Sequence, residues 1–335
     1  MMSTDNNIKD ASIDETEGRR EVSLGRKISS FVLRLAVSLA LIFLIFKSID
    51  LRVFTEVVVS PNLLPVFAMV IFSIFFVFLG GLKLWILFRG FSPIKLWLFT
   101  GYYFLAGSVG SLAPAIFGDV TLIGLAKRSQ IPFHKSISAI LMDRFITMVI
   151  ALFIFTPFTL VFVLPVEPGF IFLLTAATFV LSVGFVWISL RFAPSLFGKL
   201  AVTKRFWESF SLFFSQYRSN LYINFLISGL RAIVSGITLI LALMAANLSP
   251  PFFATICISN SLSILTHIPV SLSGLGLFEG GGLILFEAIG LNREQVLAGL
   301  LYHRVYIIIW AVLTSLVLTL LFAVKKTGAK RDVPK

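Results

Sequence analysis

The sequence predicts an all-α polytopic membrane protein, with about six full transmembrane helices plus two opposed re-entrant helical hairpins built as an inverted repeat. Three observations lead there. The 335 residues are 58% hydrophobic and only 13% charged, with a mean hydropathy of +0.98, far from the balance of a soluble domain. Runs without any charge, such as Phe145 to Val166 and Gly169 to Leu190, approach or exceed the roughly 20 residues that cross a hydrocarbon core. Two acid–arginine pairs share one spacing: Asp119 and Arg144 are 25 positions apart, as are Glu279 and Arg304, and the second pair follows the first by 160 positions. At that offset the apolar stretch from Asn62 to Ile86 falls on the stretch from Tyr222 to Ala246, and Ser111-Leu112 falls on Ser271-Leu272. This is the signature of an internal duplication. Repeats inside a membrane protein commonly build a transport path between them, with broken helices and polar groups near the midplane.

Residues 1–27 are polar, open with an acidic run and lack an apolar h-region, so they are expected to form a disordered cytoplasmic tail and not a cleaved signal peptide. The transmembrane region then runs over residues 28–324. Its first span covers about Ile28 to Phe46 and carries Arg34, which can snorkel to the near surface. A short outer loop with Asp50, Arg52 and Glu56 leads to the second span, about Asn62 to Ile86, which opens repeat 1 (about 62–165). The apolar stretch from Leu96 to Ala126 is interrupted by Ala113-Pro114-Ala115 and Gly118-Asp119 and ends at Lys127-Arg128. With basic residues on both flanks it enters and leaves on one side, as a re-entrant hairpin. Spans at about Ser136 to Leu164 and Gly169 to Leu190 follow, joined by a tight turn at Pro165 to Pro168.

A linker over 191–220 places Phe206, Phe210, Phe213 and Tyr217 on one helical face, the pattern of an amphipathic helix lying in the headgroup layer. Repeat 2 (about 221–324) begins with a span from Leu221 to Ala246 that contains Arg231. Phe252 to Ile268 dips in and stops at Pro269. The glycine-rich run Ser271-Leu272-Ser273-Gly274-Leu275-Gly276-Leu277-Phe278-Glu279 then makes a second hairpin, opening from the opposite side. The last span, about Glu294 to Val324, leads into a basic cytoplasmic tail over 325–335. Basic residues flank the spans (Lys83, Arg89 and Lys95 around the end of the second; Lys325, Lys326 and Lys330 after the last). The net charge of +12 therefore fits the positive-inside rule better than nucleic-acid binding, and both termini are expected in the cytoplasm.

The remaining charges fall inside apolar spans. An unpaired charge at a helix centre costs roughly 2.5 to 3.5 kcal/mol, so Asp119, Asp143, Arg144, Arg231, Glu279, Glu287 and Arg304 must pair or line water. Permanent ion pairs pinning each hairpin to a span are one reading. The other is a path: Asp119 and Glu279 sit at helix breaks where freed amides favour ions, and the guanidinium fork of Arg144 and Arg304 matches a phosphate. Gly118, Gly274 and Gly276 would allow close backbone approach, and Pro114 and Pro269 would fix the breaks. A carboxylate exchanging its arginine for a proton could also couple transport to a proton gradient. One cysteine, Cys257, and three scattered histidines give no metal-ligand spacing, so no metal and no cofactor are expected.

On these residues the chain resembles the transmembrane-domain family of lysylphosphatidylglycerol synthases, also called the flippase-like domain family. The resemblance rests on Pro114 with Gly118-Asp119, on Asp143-Arg144 opening the next span, and on Pro269 with the run from Ser271 to Glu279, and covers about Ile28 to Val324. It implies handling or translocation of polar lipids, including aminoacylated phospholipids, in the cell membrane. Some members carry a soluble synthase domain downstream, so the resemblance implies the translocating half without the aminoacyl-transferring half, and no enzymatic activity. The family more often has Glu after the first glycine and an Arg about three residues on, whereas Asp119 here is followed by Val120, Thr121 and Leu122. Phospholipid, polyprenyl-phosphate carrier and other amphiphiles all stay open as substrates. The partners implied are lipids with anionic or zwitterionic headgroups and a separately encoded transferase. The rival readings are a non-catalytic scaffold for that transferase, an ion-coupled small-solute transporter and a lipid-modifying membrane enzyme; for the last, no aspartate-rich metal motif or phosphatase-like spacing is present.

Overall fold

A computed structural model describes residues 32–112, 115–197, 201–266, 270–271 and 274–331. The described residues form helices with no strand. The N-terminal tail and the breaks at Pro114 and Pro269 lie outside the described residues.

Helix α1 (Val32–Lys47) meets α2 (Leu51–Val59) at an angle of 102°. The segment expected as an outer loop is thus a helix. Asp50 caps it by accepting from the Arg52 amide at 2.9 Å, the usual role of an N-cap carboxylate. Phe54 is buried, edge-on to Phe46 at 5.5 Å. Its charges disguised an apolar face that packs on the rest of the bundle.

Helix α3 (Leu63–Arg89) is capped by Asn62 and is long and apolar enough to cross a membrane. Helices α4 (Leu96–Leu112) and α5 (Ala115–Arg128) fold back on one another. Gly118 lies against the Ala106 carbonyl and Gly110, where a Cβ would come within 2.7 Å, while Ser129 meets Tyr102 near the open end. The close crossing explains a glycine there. Helix α6 (Phe133–Ile150) continues through a π-helical turn at Ala151–Phe155 into α7 (Thr156–Val163). The widened turn accommodates Pro157, which cannot donate an amide to a regular α-ladder, and Thr156 reaches back to the Ala151 carbonyl at 2.9 Å. Helix α8 (Pro168–Phe197) follows, then α9 (Ala201–Ser215). On the aromatic face of the linker Phe213 is fully buried, and Phe91 packs edge-on against both Phe213 and Tyr217.

Helix α10 (Arg218–Ala245) runs antiparallel to α3. Asn220 and Asn224 donate to the carbonyls of Ile86 and Lys83, Arg231 to that of Phe76, and the Asn62 amide to Ala245. Helix α11 (Phe252–Leu265) pairs with α12 (Leu277–Ala288), Gly281 lying against Leu262 and Leu265. Helix α13 (Arg293–Arg331) closes the bundle and stays helical through part of the expected tail.

Among the described residues, four helices are long and apolar enough to span a membrane, or five if α1 and α2 count as one bent span; α11 and the stretch Pro168–Leu181 of α8 are shorter apolar segments. Six full spans were expected; α1 reaches that length only together with α2, and α8 runs as one helix of 30 residues over Pro168–Phe197.

The described residues form two hydrophobic cores. One joins the C-terminal half of α3 to α4, α5, α6 and α9, around Phe88, Phe99 and Phe213; the other joins α2, α10, α11, α12 and α13, around Leu243, Phe286 and Leu300. The bundle also has two chemically different ends. At one, Lys135 lies over Phe91, with Arg89, Lys95, Lys127, Arg128 and Arg218 nearby in the chain. At the other, Arg293 bonds Ser48 and Glu287, with Asp50 and Glu294 close to these residues in the chain. The α4–α5 pair opens toward the basic end and the α11–α12 pair toward the acidic end.

Candidate functional site

The glycine-rich turn before α12 shows why its residues are glycines. Gly274 and Gly276 have φ of +74° and +84°, the left-handed region that side chains resist. The space beside them is filled by protein: a Cβ on Gly276 would come within 2.6 Å of Leu41, and one on Gly274 within 2.9 Å of Thr266. The turn presents the Gly276 amide to Glu279, the third residue of α12, whose Oε2 accepts it at 2.7 Å. An acid at this position also meets the positive end of the helix dipole. The other oxygen accepts from Arg304 Nε at 2.8 Å, and an Arg304 Nη donates to the Gly274 carbonyl at 3.4 Å. Glu279 is 1% exposed, so this pair fastens the turn to α13. The guanidinium also lies 5.7 Å from the Phe278 ring, on which His303 stacks.

The Asp119–Arg144 pair forms too, at 2.9 Å, but its side chains are 32% and 40% exposed. Asp119 sits near the start of α5, as Glu279 does in α12. It differs in facing open space: Gly118, Asp119 and Arg144 all line a cavity of about 310 Å³ between α3, α4, α5, α6, α10 and α11.

Asp143 pairs with Lys83 at 3.0 Å. This corrects the reading of Lys83 as one of the basic residues marking a membrane edge. Its side chain is 2% exposed, bonded also to Thr147 at 2.7 Å, while Asn224 donates to Asp143 at 3.0 Å and accepts from Ser228 at 3.2 Å. Five apolar residues, Leu84 to Phe88, follow Lys83 before the helix ends; that spacing, together with Asn224 in an apolar span, was the available signal. Glu287, counted among the membrane charges, instead pairs with Arg293 at the acidic end of the bundle, where both are exposed.

Two further chambers adjoin the first. A lateral one of about 180 Å³ lies between α3, α4 and α13, and a distal one of about 220 Å³ between α3, α10, α11 and α13. Phe76 lines all three. Tyr103, Gly107 and Arg231 line the central and lateral chambers; Ser235, Ser263 and Thr266 line the central and distal ones. Arg304 and His303 stand on the distal wall. Glu279, Gly274 and Gly276 line none of the three. Hydroxyls and Asn260 thus connect the surroundings of one acid–arginine pair to those of the other, while Arg231 stands where the central and lateral chambers meet. The hydroxyl and asparagine lining went unnoticed in the sequence because such residues are individually common in apolar helices.

A multi-pass helical membrane domain with ion pairs and a polar interior is defined by these features. The chain belongs to the family described as Lysylphosphatidylglycerol synthase TM region, whose family model matches residues 31–323, and that membership links it to lipid handling. Neither a curated protein nor a solved structure matches it.

Proposed function

We propose that this protein translocates a polar lipid across the cell membrane and does so without catalysing a reaction. The observation that carries the reading is the set of three adjoining chambers, lined by hydroxyls, Asn260 and arginines, between the two acid–arginine pairs. Buried polar surface in a bilayer is costly unless it pairs or lines a path. The Asp119–Arg144 pair faces the central chamber and meets the headgroup, while Glu279 with Arg304 holds the second turn in place.

In the membrane, α1 with α2, α3, α6 with α7, α8, α10 and α13 are the six crossings, and α4–α5 and α11–α12 are re-entrant hairpins opening from opposite faces. An inverted duplication is supported by helix bounds at one offset: α5 ends at Arg128 and α12 at Ala288, and α6 starts at Phe133 and α13 at Arg293. The repeat mates α3 and α10 lie antiparallel at the centre. The positive-inside rule puts the basic end of the bundle, and with it both termini, in the cytoplasm.

The test is lipid movement between leaflets in proteoliposomes, using fluorescent phospholipids and a fluorescent polyprenyl phosphate, for wild type and Asp119→Asn. Movement of a lipid that the variant slows supports translocation. No movement of any lipid by folded protein would favour a scaffold for a separate transferase or a small-solute carrier.

A further inference from the structure

Among the described residues, the central chamber carries one cation more than its carboxylates. Lys83, Arg144 and Arg231 face Asp119 and Asp143; Lys83 is taken by Asp143 and Arg144 by Asp119. Arg231 has no carboxylate partner among the described residues. Its Nε donates to the Phe76 carbonyl at 3.3 Å and its guanidinium lies 3.8 Å over the Phe76 ring. This holds the plane of the group fixed from one side. Neither Nη makes a hydrogen bond among the described residues, and Arg231 lines both the central and the lateral chamber.

We infer that Arg231 is the docking cation for a lipid-linked phosphate of net negative charge, and that this residue selects against lipids whose headgroup is net positive. The inference rests on the translocation reading and narrows its substrate. A guanidinium offers two parallel donors to phosphate oxygens, and here both Nη groups remain for that use. A ligand bringing one negative charge balances the charges of the described lining, whereas an added ammonium would meet the Arg231 guanidinium in low dielectric. The lateral chamber supplies the second half of the recognition. Beside Arg231 its wall is mainly apolar, with Val77, Phe104, Ile307, Trp310 and Ala311 and the hydroxyls of Ser73, Ser108, Ser111 and Tyr306 among them, so the space next to the phosphate site suits a lipid chain with its linkage better than a free anion. Both a glycerophospholipid and a polyprenyl phosphate offer this combination.

Equilibrium binding to the purified full-length protein in neutral detergent tests the inference separately from transport. The probes are fluorescent phosphatidylglycerol, a polyprenyl phosphate, phosphatidylcholine and a cationic two-chain lipid without phosphate, with inorganic phosphate as a competitor. Wild type should bind one or both anionic lipids at least about tenfold more tightly than the other two, as one or two charge-assisted hydrogen bonds allow. Which anionic lipid binds identifies the source. Arg231→Gln should abolish that preference, and Arg231→Lys, which keeps charge but loses the fork, should retain part of it. The preference ratio is insensitive to the fraction of folded protein; Phe76→Leu, which keeps the carbonyl and removes the ring, should lower it without abolishing it. An unchanged ratio in Arg231→Gln overturns the inference, as does inorganic phosphate competing at the lipid's own affinity. If Arg231→Gln keeps the ratio and wild type still moves lipid between leaflets, the translocation reading survives alone; if wild type neither binds nor moves any of these lipids, that reading falls first.

Discussion

Deleting the Glu279 carboxylate should destabilise the protein several times more than deleting that of Asp119, although the two acids occupy equivalent places in the sequence pattern. Glu279 is 1% exposed and both its oxygens are bonded, one by the Gly276 amide at 2.7 Å and one by Arg304 at 2.8 Å. Removing one partner of a buried ion pair costs about 3 to 5 kcal/mol, and losing a helix-terminal acceptor adds about 1 kcal/mol. Asp119 and Arg144 are 32% and 40% exposed and line the central chamber, where water can take the place of a lost partner, so the loss there should be smaller. Thermal unfolding of purified Glu279→Ala and Asp119→Ala, followed by tryptophan fluorescence in one detergent, should therefore show a drop on the order of 10 °C or more for the first and a few degrees for the second. Glu279→Gln should fall between wild type and Glu279→Ala, since an amide oxygen can still accept from Gly276 but leaves the Arg304 charge uncompensated. Equal shifts for the two alanine variants would refute the assignment of one pair to structure and the other to the chamber.

The Lys83–Asp143 pair should behave as a unit: Lys83→Met and Asp143→Leu should each cost about 3 to 5 kcal/mol, and the double variant less than their sum, in the same unfolding measurement; additive losses would contradict the pairing. Gly276→Ala combines a left-handed φ of +84° with a contact of 2.6 Å to Leu41, so about 2 to 4 kcal/mol of stability should be lost, whereas Gly229→Ala, with open space around it in α10, should melt no lower than wild type. Phe213→Ala should cost about 3 to 5 kcal/mol, because its ring is buried in the first core; an unchanged melting temperature would contradict that burial.

The membrane class, the long helices and both acid–arginine pairs were legible from the sequence for separable reasons. Apolar periodicity and length mark helices such as α3 and α10 directly, and charges inside them are rare enough that Asp119, Arg144, Glu279 and Arg304 stood out. Helix α2 was missed because Asp50, Arg52 and Glu56 dominate a short segment whose one buried residue, Phe54, joins a core built mostly from residues after position 238. Lys83 was misplaced because a lysine near a helix end reads as an edge marker unless its distance to the end is weighed against a carboxylate elsewhere. The burial that separates Glu279 from Asp119 depends on what packs around each turn: α1 covers the second turn through Leu41, and no spacing within the chain records that contact. The chambers were invisible for the same reason, since Phe76, Ser235, Ser263 and Thr266 come from three different helices.

The account stands or falls on whether the headgroup passes between the central and lateral chambers. Gly107 lies on the wall shared by both, and nothing comes within 4 Å of a Cβ placed there, so Gly107→Trp should fill the passage while α4 keeps its packing. The decisive measurement is leaflet-to-leaflet movement of the lipid that wild type carries, in proteoliposomes holding equal amounts of wild type or Gly107→Trp of matched melting temperature. Loss of movement in the variant is the result predicted; movement at the wild-type rate would place the lipid's route outside these chambers and contradict the account.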